Sequence, residues 1–544
     1  MVRGWSRSAG LVLALLMALA LAAPASAQAV APRLALVVGN AAYPSRPLAT
    51  SLNDAALVAQ ALAQAGFDVT AATDLDAARL RTAFQSFAEA ARTAGPDATI
   101  FVYLAGYGVQ YDSDNYMVPV DARILHDDDV PAQAADLDDF ARALAAVPAK
   151  ARLLVYDLAR ASPFATVDEM PLADGLAPAS AGTNTLLAFN AAPSMVAPDD
   201  ALPYGAYARA LAEMIGTPGL TPNALFDRVR LRVGELTDGA QVPWNDGTIS
   251  GDLTLLPSGD APVGMARSIN AIPVDALSPD IAYAAVVARD SLAGYAEFVR
   301  AYPDGPLSTR IRTLLAARRE ALTWRAAAQS DDPRADWTYM RRYPRGSHRF
   351  DARRRLAALH AALEPPPRFD VVAFPDLPPP SALELKLLAS PQEATRDLAP
   401  VPPAPAALLP ASDNAYYDAL PPPAPTPAGL LPIAPPLPRA AVPPSDDGRV
   451  TQSRPGKGLT VLEPQFAADG AATLTLADID GPIAELTATT GADGTLTLLE
   501  TGAKDTILSR TTVVHTADGL TIVQTGANGG LLYDIATRAD PEGT

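Results

Sequence analysis

Four apolar runs stand out along the first half of the chain: "RLALVVGN" from Arg33, "ATIFVYLAG" from Ala98, "ARLLVYDLA" from Ala151 and "NTLLAFNAA" from Asn184. Each is short and unbroken, the pattern of a strand covered on both faces. "FDVTAATD", from Phe67, reads as a further strand. Between these runs the apolar positions move to helical spacing, over 53–64, 75–92, 137–146, 204–215 and 224–236. "NDA" at Asn53 opens the first helix with a capping residue followed by an early acid. Strands alternating with helices predict an α/β sandwich with a mainly parallel sheet, over residues 28–260.

The pattern then changes three times. Residues 274–363 are helical and arginine-rich, and they repeat: "YAEFVRAYPDG" (Tyr295 to Gly305) aligns with "DWTYMRRYPRG" (Asp336 to Gly346) at a period of 41 residues. Tyr283 and Trp324 share one offset. The unit reads as a helix pair whose first helix is stopped by Tyr-Pro-x-Gly. It resembles a degenerate tetratricopeptide-like repeat, and two such units are few for independent stability, so docking onto a neighbour is expected. Residues 364–447 hold 24 of the 53 prolines and read as an extended, disordered linker, with "SALELKLLAS" as an island of nascent helix. From 450 to 540 the residues alternate in period two between ADG- and TGANGG-type turns, which predicts a small antiparallel β module of about six strands. The DxDG at Asp478 lacks the further ligands of a calcium loop.

At 544 residues the chain exceeds what one core holds. Its formal charge of −18 argues against a general nucleic-acid binder. Residues 1–27 read as a signal peptide: Arg3 and Arg7, an apolar stretch from Leu11 to Ala23, then Ala25-Ser26-Ala27. Export to a bacterial periplasm or beyond is the expectation, with no later segment apolar for long enough to span a bilayer. The chain has no cysteine, which excludes disulfides, thiolate metal sites and any cysteine nucleophile. No cofactor and no metal site is expected.

"LALVVGNAAYPS", "FVYLAGYGVQYDSDNYMVPVDA", "ARLLVYDLARASPF" and "QVPWNDGTISGDLTLL" follow one another in the order found in a known domain. Together they resemble the caspase/metacaspase-like cysteine peptidase domain of exported bacterial proteins. The resemblance implies a caspase-like three-layer sandwich and a His–Cys dyad, in which a thiolate attacks the scissile carbonyl and an imidazole moves the proton. The histidine would stand between two glycines after the third strand, where this chain has Tyr107. The cysteine would stand two residues after an Asp, where this chain has Ala159. Both dyad positions are therefore substituted. The resemblance also implies that Asp157 and Asp54 help line a pocket for a basic side chain, which charge-assisted bonds would hold. The simpler readings are that Asp54 caps its helix and Asp157 ends its strand.

Other residues offer weaker chemistry. Ser162 and His126 are the remaining nucleophile and base, but a pair would require the "ILHDDDV" loop to fold across the site. Asp127, Asp128 and Asp129 read as a solvated acidic loop, with a calcium site as the alternative, and Pro243 and Trp244 as packing. Three functions follow as expectations. The first is a proteolytically silent scaffold or regulator that binds a basic peptide or protein. The second is a hydrolase built on Ser162, or a cysteine endopeptidase in family resemblance alone. The third is a structural protein whose basic repeats contact an envelope polymer.

Overall fold

The computed structural model describes residues 31–126, 128–164, 172–199, 203–251, 253–257, 272–396, 398–406 and 408–409, together with strands between 460 and 538. The expected signal peptide, Asp127 and the chain from 410 to 459 lie outside the described residues.

The first domain is built on a six-stranded sheet. Its strands are β1 (Arg33–Gly39), β2 (Asp68–Thr73), β3 (Thr99–Ala105), β7 (Ala151–Asp157), β8 (Thr185–Phe189) and β9 (Trp244–Gly247), in the order β2-β1-β3-β7-β8-β9. All neighbours are parallel except β9, which closes the edge antiparallel to β8. Every residue of β3 and β7 is buried, which explains their unbroken apolar sequence. Trp244 stacks on Phe189 with ring centroids 4.8 Å apart, sealing that edge.

Helices α1 (Ser51–Gln64), α5 (Ala206–Ile215) and α6 (Pro222–Leu236) contribute to the core on one face; α2 (Ala77–Ala94) and α4 (Leu137–Ala145) contribute to the other. Gly39 ends β1 where a side chain cannot fit: a Cβ would come 2.7 Å from the Cβ of Ala55 and 2.9 Å from the Ser51 carbonyl. A small second sheet pairs β4 (Gly108–Tyr111) with β5 (Asp114–Met117), and β5 with β6 (Ala135–Asp136), ahead of which lies the short α3 (Asp129–Gln133). The β4–β5 hairpin turns on Asp112 and Ser113, both at positive φ (50° and 75°), as a tight two-residue loop requires.

The repeats form α7 (Pro279–Arg289), α8 (Leu292–Ala301), α9 (Pro306–Ala328), α10 (Pro333–Arg342) and α11 (Arg349–Ala358). The 41-residue period survives in geometry: Tyr302 and Tyr343 end α8 and α10 with nearly identical backbone angles, φ −128°, ψ 75° and φ −125°, ψ 74°. Tyr283 and Trp324 are both buried. α7, α8 and the first half of α9 share one apolar core with the sheet, whereas α10 and α11 pack with Trp324 in a separate cluster. At this junction the buried Arg230 of α6 donates to the carbonyls of Ala288 (2.8 Å) and Val287 (3.2 Å) and lies 3.4 Å from Asp290.

The Pro-rich stretch departs from the expectation of a disordered linker as far as residue 409. It is a strap. "SALELKLLAS" forms α12 (Ala382–Leu388), started by a capping box between Ser381 and Glu384 and tied to α9 by Arg319–Glu384 at 2.6 Å. Arg310 then holds the Ala399 carbonyl (2.9 Å), Glu235 accepts the Ala404 N–H (2.8 Å), and Leu408 and Leu409 are buried in the first domain's core. The physical reason lies in proline itself: a chain already restricted in φ loses less entropy when a few anchors fix it.

Beyond it, six strands from Ala472–Asp478 to Leu531–Arg538 pair antiparallel in chain order, with two short strands added to the first. Asp478 pairs with Gly481, the facing ends of the first two of these strands. No helix of the described residues is long and apolar enough to cross a membrane.

Candidate functional site

In an open parallel sheet, loops that carry chemistry gather at the carboxyl ends of the strands. Here β1, β3 and β7 deliver Asn40, Gly106-Tyr107-Gly108 and Asp157-Leu158-Ala159-Arg160 to that edge. Buried Asn40 ties the first two loops: its N–H donates to the Ala105 carbonyl (2.8 Å) and its Oδ1 accepts the Leu75 N–H (2.9 Å).

Tyr107 fills the place it is displayed to. It is 1% exposed, and its hydroxyl donates to the Arg46 carbonyl at 3.1 Å. Its ring meets Tyr43 edge-on, centroids 4.8 Å apart. Tyr43 in turn accepts the Tyr107 N–H (3.1 Å) and donates to the Val118 carbonyl (2.9 Å). Gly106 is required by this arrangement, since a Cβ there would lie 2.7 Å from the Tyr43 hydroxyl. Burial raises the Tyr107 phenol above its ordinary value, with the charges of Arg46 and Arg160 working against that rise. A phenol in that state stays protonated at neutral pH.

Ala159 is also closed over, at 1% exposed. Its N–H donates to Asn190 Oδ1 (2.9 Å) and its carbonyl accepts the Ala197 N–H (2.8 Å), so the loop after β8 lies across it. Among the described residues, neither Tyr107 nor Ala159 presents an exposed side chain.

Both acids lie close enough to Tyr103 for their charges to act on its phenol. Asp157 accepts the Tyr103 hydroxyl at 2.8 Å. Burial pushes that phenol well above its usual range, and the negative charges of Asp157 and Asp54 add to the rise. Both carboxylates are nonetheless engaged by this chain. Asp157, 1% exposed, pairs with the guanidinium of Arg160 at 3.0 Å. Asp54, fully buried, accepts the Gly205 N–H (2.7 Å) at the start of α5, where a helix end favours an anion. Arg160 is the residue that sequence reasoning missed. Its only signal was the spacing of an acid and a base three residues apart, just past a strand.

At the rim, Arg46 and Asp199 form a bidentate pair (2.8 and 2.9 Å) that is largely exposed and therefore weak. Ser162 accepts the Phe164 N–H at 3.0 Å, as a turn residue does. His126 lies on an exposed loop, where Asp129 accepts the N–H groups of both Leu125 (2.9 Å) and His126 (2.8 Å). These bonds hold the Asp129 carboxyl below its ordinary range and account for one acid of the loop structurally. Among the described residues no group of three His, Asp or Glu converges as a metal site.

A parallel sheet between two helical layers, closed by an antiparallel edge strand and carrying its loops at one end, defines the class as an α/β sandwich of caspase type. Residues 32–254 match the family model described as Caspase domain, and this part of the chain is similar to the caspase-like family. No curated protein matches the chain.

Proposed function

We propose that the protein is a proteolytically silent member of the caspase-like family that holds a peptide or protein rather than cutting it. The observation that carries this reading is Ala159, a buried methyl where the resemblance places the nucleophile, in a chain without a cysteine. Tyr107, packed and hydrogen-bonded opposite the same loops, supports it. The ligand class is a basic segment, with Asp157 as its receiving acid and Asp54 beside it. Because Arg160 already sits on Asp157, a partner's arginine or lysine must exchange with it. Binding is therefore expected to be weak in the native chain and stronger once Arg160 is removed. Export from the cytoplasm is part of the same proposal, supported by the signal-like residues 1–27.

The test is titration of a fluorescent peptide with a central arginine. Arg160→Ala should tighten binding and Asp157→Asn should remove it. If the native chain and Arg160→Ala bind no basic peptide, the holding role at this acid is wrong. Cell fractionation with sequencing of the mature amino terminus tests export separately.

A further inference from the structure

His348 caps α11 and is completely buried where the repeats meet the β4–β5 hairpin. Its Nδ1 lies 3.1 Å from Glu320 Oε1 and its Nε2 lies 2.9 Å from Gln110 Oε1. The ring stacks on Trp324, centroids 5.2 Å apart. Both oxygens can only accept. The Gln110 amide is oriented by its Nε2, which donates to the Asp174 carbonyl at 2.7 Å, leaving Oε1 toward the ring. Burial alone would raise the Glu320 carboxyl; the charge and hydrogen bond of His348, with the Tyr339 hydroxyl, hold it below its ordinary value, as a carboxylate. The Tyr339 hydroxyl accepts the His348 backbone N–H (3.1 Å) and donates to Glu320.

A neutral imidazole has one N–H and one lone pair. Either tautomer would turn a lone pair onto one of these oxygens. Flipping the Gln110 amide only moves the same conflict to the Asp174 carbonyl. With Glu320 ionised, an imidazolium donates to both oxygens at once.

We propose that His348 is held as an imidazolium and that this charge latches the helical repeats to the hairpin beside Tyr107, so that loss of the proton releases the hairpin. The grip covers three consecutive residues. Besides His348 on Gln110, Arg354 lies 5.9 Å from the Tyr111 ring centroid, and Arg355 pairs with Asp112 at 3.1 Å. The hairpin starts at Gly108, so its release reaches the loop that carries Tyr107.

The groups around the latch come from each packed element: Glu320 on α9, Asp336 and Tyr339 on α10, Asp351, Arg354 and Arg355 on α11, Asp112 on the hairpin, and Ser194 after β8. Burial lifts Asp351 to about 6 and Asp336 to about 7. Their ionisation adds negative charge as pH rises and so opposes release, which makes a His348-specific control necessary.

The experiment uses the full chain, labelled with ¹⁵N-histidine, with hydrogen exchange of residues 108–117 followed from pH 5 to 8.5 and corrected for the intrinsic rate. The His348 signal, assigned by its loss in His348→Gln, should show both nitrogens protonated at pH 6. Protection of the hairpin should fall about tenfold as that signal converts. Glu320→Gln, whose amide can serve a neutral ring, should abolish the step and carries the test if His348→Gln does not fold. A singly protonated ring at pH 6, protection that does not change with pH, or a step that persists in Glu320→Gln would each overturn the proposal.

Discussion

Replacing Asp157 by alanine asks whether this acid is a structural partner of Arg160 or a solvated group awaiting a ligand. In the native chain the acid is held by Arg160, so a ligand would have to displace that residue. The carboxylate is 2% exposed and the guanidinium 6%, and the Tyr103 hydroxyl uses the second oxygen. Removing one member of a buried pair strands the other charge, an effect of about 3–5 kcal/mol. The orphaned phenol adds up to about 1–3 kcal/mol, in part overlapping the first term. Replacing the pair together, as Asp157→Leu with Arg160→Met, should return most of that loss, because no buried charge remains. The assay is urea unfolding of the wild type, both single variants and the double, read as a cycle. A coupling energy above about 1 kcal/mol separates a buried pair from an exposed one. If Asp157→Ala shifts stability by less than about 1 kcal/mol and the coupling vanishes, the pair is solvated in solution and the reasoning about an occupied pocket is refuted.

Three further outcomes are expected. Ala159→Cys would be the only thiol in the chain; at 1% exposure it should resist a thiol reagent in the native state and react on unfolding, and fast native labelling would reveal an open cleft. Leu408→Ala with Leu409→Ala should destabilise the unit formed by the first domain and repeats by about 4 kcal/mol or more in urea, the low end for two buried leucines; no change would mean the strap is not docked. Asp336 is raised to about 7 by burial, so the folded state binds its proton more tightly than the unfolded chain does. Its contribution is thus favourable at acid pH and is lost as pH rises toward 7, and Asp336→Asn should flatten melting temperature against pH between about 4 and 7. A profile unchanged in that variant would remove Asp336 from the account.

The sheet was legible because its strands are covered on both faces: Phe101 to Ala105 and Leu153 to Val155 leave no polar residue to suggest anything else. The ends of α8 and α10 were legible because Tyr302 and Tyr343 are each followed by a proline, a stop signal. The site was legible only in part. Asp54 and Asp157 could be placed near one another by resemblance, but Arg160 could not be placed on Asp157, since a loop's path after a strand has no periodicity. The strap shows a different limit. Its composition reports an extended chain, which it is, but says nothing of where Leu408 and Leu409 find a hydrophobic surface. His348 and Glu320 were silent for the same reason: they are 28 residues apart, and the other partner of His348, Gln110, is 238 residues from it.

The strap also bears on how the chain can fold as it is made. One continuous core joins Ala35 of the first strand to Leu408 and Leu409, and the Glu235–Ala404 bond spans 169 residues. A nascent chain that has reached only the end of the first domain still lacks α7–α9 and both leucines, and exposes the apolar surface they cover. Contacts so distant in sequence form late, after a large loss of loop entropy. Completion of the core therefore waits for residue 409, and until then the chain depends on whatever escorts unfolded polypeptide.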